Sequence, residues 1–566
     1  MRVSLREARL NSWSQSMKLA LGRAAGRFAA IVAAAVTVSF FLMLPCAASA
    51  MTAQPSLEVP LVNGTIEGKR MRVGETDLRV FLGIPYAAPP IGTLRWREPK
   101  PVERWAGVRR AIEFGPRCMQ APPYEITFRS AQMSEDCLYL NVWTPASGQE
   151  KKLPVLVYFH GGNFDVGDGS EPRYDGGNLA ARGIVTVTLN YRLGAFGFLA
   201  LPELESESPH GTAGNYGLLD QHAALEWVRD NIAAFGGDPA QVTIAGDSAG
   251  AFSVSTHMAS PLSRGLFARA VGFSGGAFRP QLALPRDLAR ALSTVFSWTS
   301  GRTSVESLRA APADSILAVT GLTGHPAIAF WPSVDGRFLP KAPGGIFASG
   351  SQAHVPLLVG SDLYVGHHDM ALKGAAPTPQ NWQHVLKERF GDRSGEAHAL
   401  YPGQSEEEIK RSASALAGDE WVGHSARRWM TRHRQTSLAR IYFYGYTHRH
   451  PIAPNEEDFP DPVVRPWNAK EALFALDNLD SRPSYPWSAD DREISRVFSG
   501  HVEQFIKDGN PNRAGLPTWP AVQDTREGSL RHAIGADKQR AAQDVDARHA
   551  LLEASYAVRK AGALAR

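Results

Sequence analysis

The stretch that most restricts the fold is Gly246-Asp247-Ser248-Ala249-Gly250, which joins two segments of different character. Gln241 to Ala245 is short, apolar and β-branched and predicts a buried strand; Ala251 to Ala259 predicts a helix. A chain passing from strand to helix across one serine must turn sharply, and the turn holds that serine in strained geometry. Gly246 and Gly250 carry no Cβ, so strand and helix can approach closely on either side. The expected result is a serine hydroxyl standing clear of a sheet, with the N–H of Ala249 aimed at the carbon it attacks. The same pentapeptide can also be a plain strand-to-helix turn, so its meaning depends on the rest of the chain.

The rest supplies what such a serine needs. Leu153 to Phe159 predicts a second buried strand, ending in His160-Gly161-Gly162-Asn163-Phe164 with Gly167 and Gly169 after it. Glycines directly after a strand let backbone N–H groups turn inward, an arrangement suited to a developing oxyanion. Ile184 to Tyr191 predicts a strand, and Asn215 to Phe235 a helix ended by Gly236-Gly237-Asp238-Pro239. Upstream, Val59 to Ile66 and Leu78 to Leu82 read as an opening antiparallel pair. Further on, Pro285 to Leu322 and residues 376 to 435 read as helical, as does Ile494 to Lys507, and 525 to 566 as a charged helical tail. Phe330, Trp331 and Phe338 flank a turn and fit either a pocket wall or core, with core preferred.

Residues 1 to 50 have the form of a targeting leader. Six basic residues from Arg2 to Arg27 precede the apolar run Phe28 to Leu44, and Ala48-Ser49-Ala50 has the form of a cleavage site. Met17 is an alternative start, and a retained anchor the alternative fate, because the run is near spanning length. The expected mature chain, 51 to 566, is one domain with no later spanning segment, exported to the periplasm or medium. After cleavage only Cys118 and Cys137 remain, which in an exported protein suggests one disulfide, with two free thiols as the alternative. A net charge of +4, concentrated in the leader, gives no reason to expect a nucleic-acid partner. Cys and His show no ligand spacing, so no metal and no organic cofactor is expected. Nothing in the sequence sets the oligomeric state.

Six ordered motifs carry a resemblance: Gly83 to Trp96, Glu135 to Trp143, His160 to Phe164, Asn190 to Leu199, the helix from Asn215, and the pentapeptide. Together they resemble the type-B carboxylesterases of the α/β-hydrolase fold, the group that holds the cholinesterases and para-nitrobenzyl esterases. Weaker similarity continues to about residue 525. The resemblance implies an α/β fold with a mostly parallel twisted sheet, helices on both faces and a helical cap. It implies a Cys118–Cys137 disulfide and ion pairs Arg95–Glu135 and Arg192–Asp220. It implies that Ser248 is acylated by a small-molecule ester and that the N–H groups of Gly162, Asn163 and Ala249 form the oxyanion hole. Asn163 departs from the small residue usual at that position.

Two further departures concern proton transfer. The family's acid falls in Gly360-Ser361-Asp362-Leu363-Tyr364-Val365-Gly366, where Val365 stands in its place. The family's histidine falls at Asn468, ahead of Ala469-Lys470-Glu471. Neither side chain can serve as an acid or base near neutral pH. Two readings follow. In the favoured one the chain still hydrolyses carboxylic esters through Ser248, with His367 and His368 as weak candidate bases and Asp362, Asp369 and Glu471 as nearby acids. In the alternative it is a weakened or inactive relative that binds a partner on the same scaffold. His160, His448 and His450 read as structural or loop residues.

Overall fold

The computed structural model describes residues 56–121, 127–145, 152–278, 283–322, 330–363, 365–449, 451, 470–524, 532–535 and 546–556. The leader, Tyr364, His450 and the Asn468 position lie outside these residues. Among the described residues thirteen strands are formed, in chain order β1 (Glu58–Leu61), β2 (Gly64–Glu67), β3 (Lys69–Val73), β4 (Thr76–Pro85), β5 (Val108–Arg110), β6 (Tyr139–Pro145) and β7 (Leu153–Phe159). They continue with β8 (Val185–Leu189), β9 (Gly237–Asp247), β10 (Arg269–Phe273), β11 (Leu357–Asp362), β12 (Ile441–Tyr446) and β13 (His532–Ile534).

Ten of these strands make one sheet in the order β13-β12-β11-β10-β9-β7-β8-β6-β4-β3. From β8 to β13 every neighbour is parallel; β6, β4 and β3 close one side antiparallel. The central strands are largely buried and rich in β-branched residues, as sheets covered on both faces require: β8 reads Val-Thr-Val-Thr-Leu and is buried throughout. Helix α1 (Tyr216–Asn231) and helix α2 (Ala249–Ala259) pack beside β9. Helices α3 (Glu406–Gly418), α4 (His424–Thr436) and α5 (Ala489–Asp508) follow. This is the α/β-hydrolase arrangement that the resemblance implies.

Three implied staples are present. Cys118 and Cys137 are bonded. Arg95 meets Glu135 with two hydrogen bonds of 2.6 and 2.5 Å, and Arg192 meets Asp220 at 2.8 and 2.7 Å. The fork geometry satisfies both carboxylate oxygens, which lets these charges sit in the interior.

The opening strand pair needs correction. Val59 to Ile66 is itself a hairpin, β1 against β2, turning at Val62-Asn63 ahead of Gly64. The two-residue turn brings Leu61 opposite Gly64, so the pairing closes locally. Leu78 to Leu82 pairs instead with β3 and β6 in the large sheet. Phe330 and Phe338 are buried in the core, as preferred. The C-terminal tail also does more than expected: residues 546–556 are helical and bury Leu551 and Leu552 against α3 residues such as Leu416.

Candidate active site

The site is built at the C-terminal ends of the parallel strands, where α/β sheets place their ligands. β9 ends at Asp247, and Ser248 follows with φ 52° and ψ −118°, outside the regions a non-glycine residue readily adopts. Its N–H donates to the Phe273 carbonyl of β10 at 2.9 Å, and its carbonyl accepts the Phe252 N–H of α2 at 2.9 Å. The strained residue is therefore clamped from both sides. The flanking glycines are required sterically. A Cβ at Gly250 would stand 2.1 Å from the Phe159 carbonyl oxygen, and one at Gly246 would stand 2.5 Å from the Gly250 backbone. Ala249 is the first residue of α2, so its N–H is among the unpaired donors of a helix start.

The loop after β7 lies against this corner. Gly162, Asn163 and Phe164 take φ of 107°, 58° and 63°, a run that turns successive N–H groups to one side. A Cβ at Gly161 would meet Asp247 Oδ2 at 2.4 Å, so loop and elbow are in direct contact. Ser248 is 5% exposed, while in the neighbouring loop Asn163 is exposed and Gly162 partly so.

A buried polar layer fixes the loop from below. Tyr158 donates its O–H to Asp247 Oδ1 at 2.9 Å, and the Gly161 N–H reaches the Tyr174 hydroxyl at 3.3 Å. Tyr191 donates to the His160 carbonyl at 2.9 Å while its ring stacks on the His160 imidazole at 4.3 Å. Burial holds the His160 imidazole down near pKa 4, so it is neutral and structural at ordinary pH. From the disulfide loop, Gln120 grips the main chain of Gly167: its Nε2 donates to the Gly167 carbonyl and its Oε1 accepts the Gly167 N–H, both at 2.9 Å. Ser170 donates to Asp168 at 2.8 Å and accepts the Ser130 N–H at 3.0 Å. Sequence reasoning missed this brace. A lone Gln beside a cysteine carries no spacing signal, and its target lies 47 positions away.

Val365 is 1% exposed and lies against Gly418 at the end of α3, a packing residue with no titratable group. His367 and His368 stack on each other at 4.3 Å at the start of a five-residue helix, His368–Leu372. His367 Nδ1 accepts the Asp369 N–H at 3.2 Å, and both imidazoles lie within 3.6 Å of the Asp369 carboxylate. These three side chains bring one ligand atom each within 4.8 Å of one another, close enough to share a divalent cation. Glu471 is fully buried and accepts the Tyr444 hydroxyl at 3.1 Å; burial first, then Asp362, pushes its carboxyl well above the usual range. His448 pairs with Asp491 at the start of α5, at 2.6 Å. No helix among the described residues is long and apolar enough to cross a membrane.

Comparison with known proteins agrees with this construction. The carboxylesterase family model matches residues 54–550. The chain is 37% identical to fumonisin B1 esterase of Sphingopyxis macrogoltabida over 492 residues, covering 84% of this chain and 86% of that one. It is 34% identical to para-nitrobenzyl esterase of Bacillus subtilis, over 81% and 92% of the two chains. It is 33% identical to liver carboxylesterase 1 of Mus musculus, over 85% and 91%. A sheet of this order, two implied ion pairs, a disulfide and matches of this length leave one assignment: the chain belongs to the carboxylesterase family and is a carboxylic ester hydrolase acting on small-molecule esters.

Proposed function

We propose that hydrolysis proceeds through an acyl group carried on Ser248 Oγ, with the acyl oxygen held by the N–H groups of Gly162, Asn163 and Ala249. The observation that carries this reading is the pairing of a strained serine, φ 52°, with a neighbouring loop whose residues 162 to 164 all take positive φ. Strain of this kind persists only where the surroundings enforce it, and it is concentrated at functional positions. As Oγ attacks, its O–H bond breaks and the proton passes through solvent water to the departing alkoxide, while the new C–O bond forms and charge moves onto the carbonyl oxygen. The tetrahedral intermediate then expels the alcohol, and water repeats the sequence on the acyl-serine.

The proton chemistry differs from the family pattern, because Val365 holds no proton and an amide at position 468 is not a base. An oxyanion hole with binding alone still accelerates hydrolysis about 10³- to 10⁴-fold over water. With valine and asparagine where the family carries its acid and imidazole, protonation of the departing oxygen is the weakened step, so esters of acidic alcohols such as phenols are favoured over alkyl esters. The test compares para-nitrophenyl and ethyl esters of one acid in the parent and in Ser248→Ala. The expected result is a strong preference for the aryl ester that vanishes with the serine; turnover unchanged in Ser248→Ala removes the reading.

We also infer export. A disulfide such as Cys118–Cys137 belongs to oxidising compartments, in keeping with a cleavable leader at residues 1 to 50.

A further inference from the structure

One carboxylate on the oxyanion loop has no charged partner among the described residues. Asp165 lies on the loop that carries Gly162 and Asn163. Its N–H donates to the Gly162 carbonyl at 3.0 Å, and the Phe164 carbonyl beside it accepts the Gly194 N–H at 2.7 Å, so its backbone is pinned. Its carboxylate is half-buried: Oδ2 accepts the Asn163 side-chain amide at 2.9 Å, and Oδ1 lies over Gly194. Among the described residues no Lys, Arg or His pairs with it. Two other carboxylates near the loop meet cations, Glu171 at Arg173 (2.7 Å) and Asp220 at Arg192, and Asp168 is held by three hydrogen bonds from Ser130 and Ser170 where Asp165 has one from a side chain. A carboxylate withdrawn from water and met only by an amide is costly, and the cost falls when a cation arrives. Asn163 is exposed, so a ligand can reach the pair from solvent.

We propose that Asp165 is a specificity-determining residue that selects esters bearing a positively charged ammonium group a few bonds from the reacting carbonyl. This rests on the reading that Gly162, Asn163 and Ala249 surround that carbonyl. Residues 163 and 165 have Cα atoms at most about 7 Å apart, which sets the reach between carbonyl and cation. Asn163 has two tasks in this scheme: its backbone N–H faces the oxyanion, and its side chain holds the carboxylate in place.

The selectivity is pH-dependent. Burial lifts the Asp165 carboxyl to about 6, with the Asn163 hydrogen bond pulling the other way. Of the groups near it, Glu171 is lifted by burial to about 7 and titrates in the same window, so Asp165→Asn, which keeps Glu171, separates the two contributions. Tyr191 is held well above its ordinary value by burial, then by Asp247, Glu171 and Asp165, and the His160 ring stacked on it is neutral above its value of about 4. Below the Asp165 value the carboxyl is neutral and the preference is lost; above it the preference is complete.

The test uses two isosteric chromogenic esters, the para-nitrophenyl esters of 4-(trimethylammonio)butyrate and of 5,5-dimethylhexanoate. Neither acyl chain titrates, and the leaving group is shared. The expected result for the parent is a cationic-to-neutral ratio of kcat/KM that rises about tenfold between pH 5 and pH 7.5, with a midpoint near 6. In Asp165→Asn the ratio is low and flat, and taking it against the neutral ester removes any general damage to the enzyme. A ratio independent of pH in the parent, or unaltered in Asp165→Asn, overturns the inference while leaving acylation of Ser248 intact. Turnover of neither ester, or turnover of both that survives Ser248→Ala, removes the acyl-serine reading and this inference with it.

Discussion

Replacing Gly162 by alanine tests the oxyanion loop where its geometry is tightest. Gly162 has φ 107°, a conformation costing an L-residue about 1–3 kcal/mol. The added Cβ would also stand 2.0 Å from the Val166 carbonyl oxygen and 2.7 Å from its carbon, both backbone atoms. The chain cannot yield cheaply, because the Gly162 carbonyl accepts the N–H groups of Asp165 and Val166, each at 3.0 Å. Opening those two hydrogen bonds costs about 1–3 kcal/mol in all. The cheapest response is to shift residues 162 to 166 as a unit, which carries the oxyanion donors out of position. Losing one such donor lowers kcat by about 10²- to 10³-fold. The expected outcome is therefore a fall in kcat of that size with a modest loss of stability. The control is Gly183→Ala, where φ is 85° but a Cβ meets nothing within 4 Å. It pays the backbone strain alone, and its kcat should match the parent. The assay is para-nitrophenyl ester turnover alongside thermal unfolding. If Gly162→Ala keeps kcat within about threefold of the control, the loop does not supply the donors.

Removing the disulfide with Cys118→Ser and Cys137→Ser opens a loop of sequence separation 19, worth about 3 kcal/mol in the chain-entropy model; scanning calorimetry should show a lower unfolding temperature, and an unchanged one contradicts this. Gln120→Leu leaves the Gly167 N–H and carbonyl without their 2.9 Å partners. It should lower kcat more than it alters KM, with Gln120→Glu in between because it still accepts the Gly167 N–H. Asp491→Asn weakens the carboxylate that caps Ser488 and meets His448, costing about 1–2 kcal/mol near neutral pH. Burial pushes the Asp491 carboxyl up, but hydrogen bonds from Ser488 and His448 outweigh it and hold it below the usual range. Its contribution is therefore complete above about pH 4 and is lost as pH falls further, so unfolding temperatures of parent and variant should converge in acid.

What was legible in the sequence followed from how local the physics is. The Ser248 corner could be read because strand, turn and helix are contiguous and two glycines mark the close approach. Helix α1 could be read because its apolar period ends at a glycine-proline stop. The hairpin at Val62-Asn63 is harder to read, because Val59 to Ile66 has the length and composition of a single strand. The disulfide follows from two cysteines in an expected exported chain and from the resemblance alike, whereas the two ion pairs rest on the resemblance alone, since nothing local pairs Arg95 with Glu135. The Gln120 brace and the Asp165–Asn163 pair depend on burial, which a sequence does not display; an aspartate in a glycine-rich loop reads as a solvated turn. The C-terminal helix was read as a charged tail because its two buried leucines, Leu551 and Leu552, are outnumbered by polar neighbours.

The measurement that bears most directly on the central claim is covalent capture by a fluorophosphonate, located by peptide mapping. The phosphonyl group takes the place of an acyl group on an activated serine and does not turn over. One adduct per chain on the peptide spanning Gly246 to Gly250, absent in Ser248→Ala, is the predicted result. Ester hydrolysis that continues while Ser248 stays unmodified would contradict it.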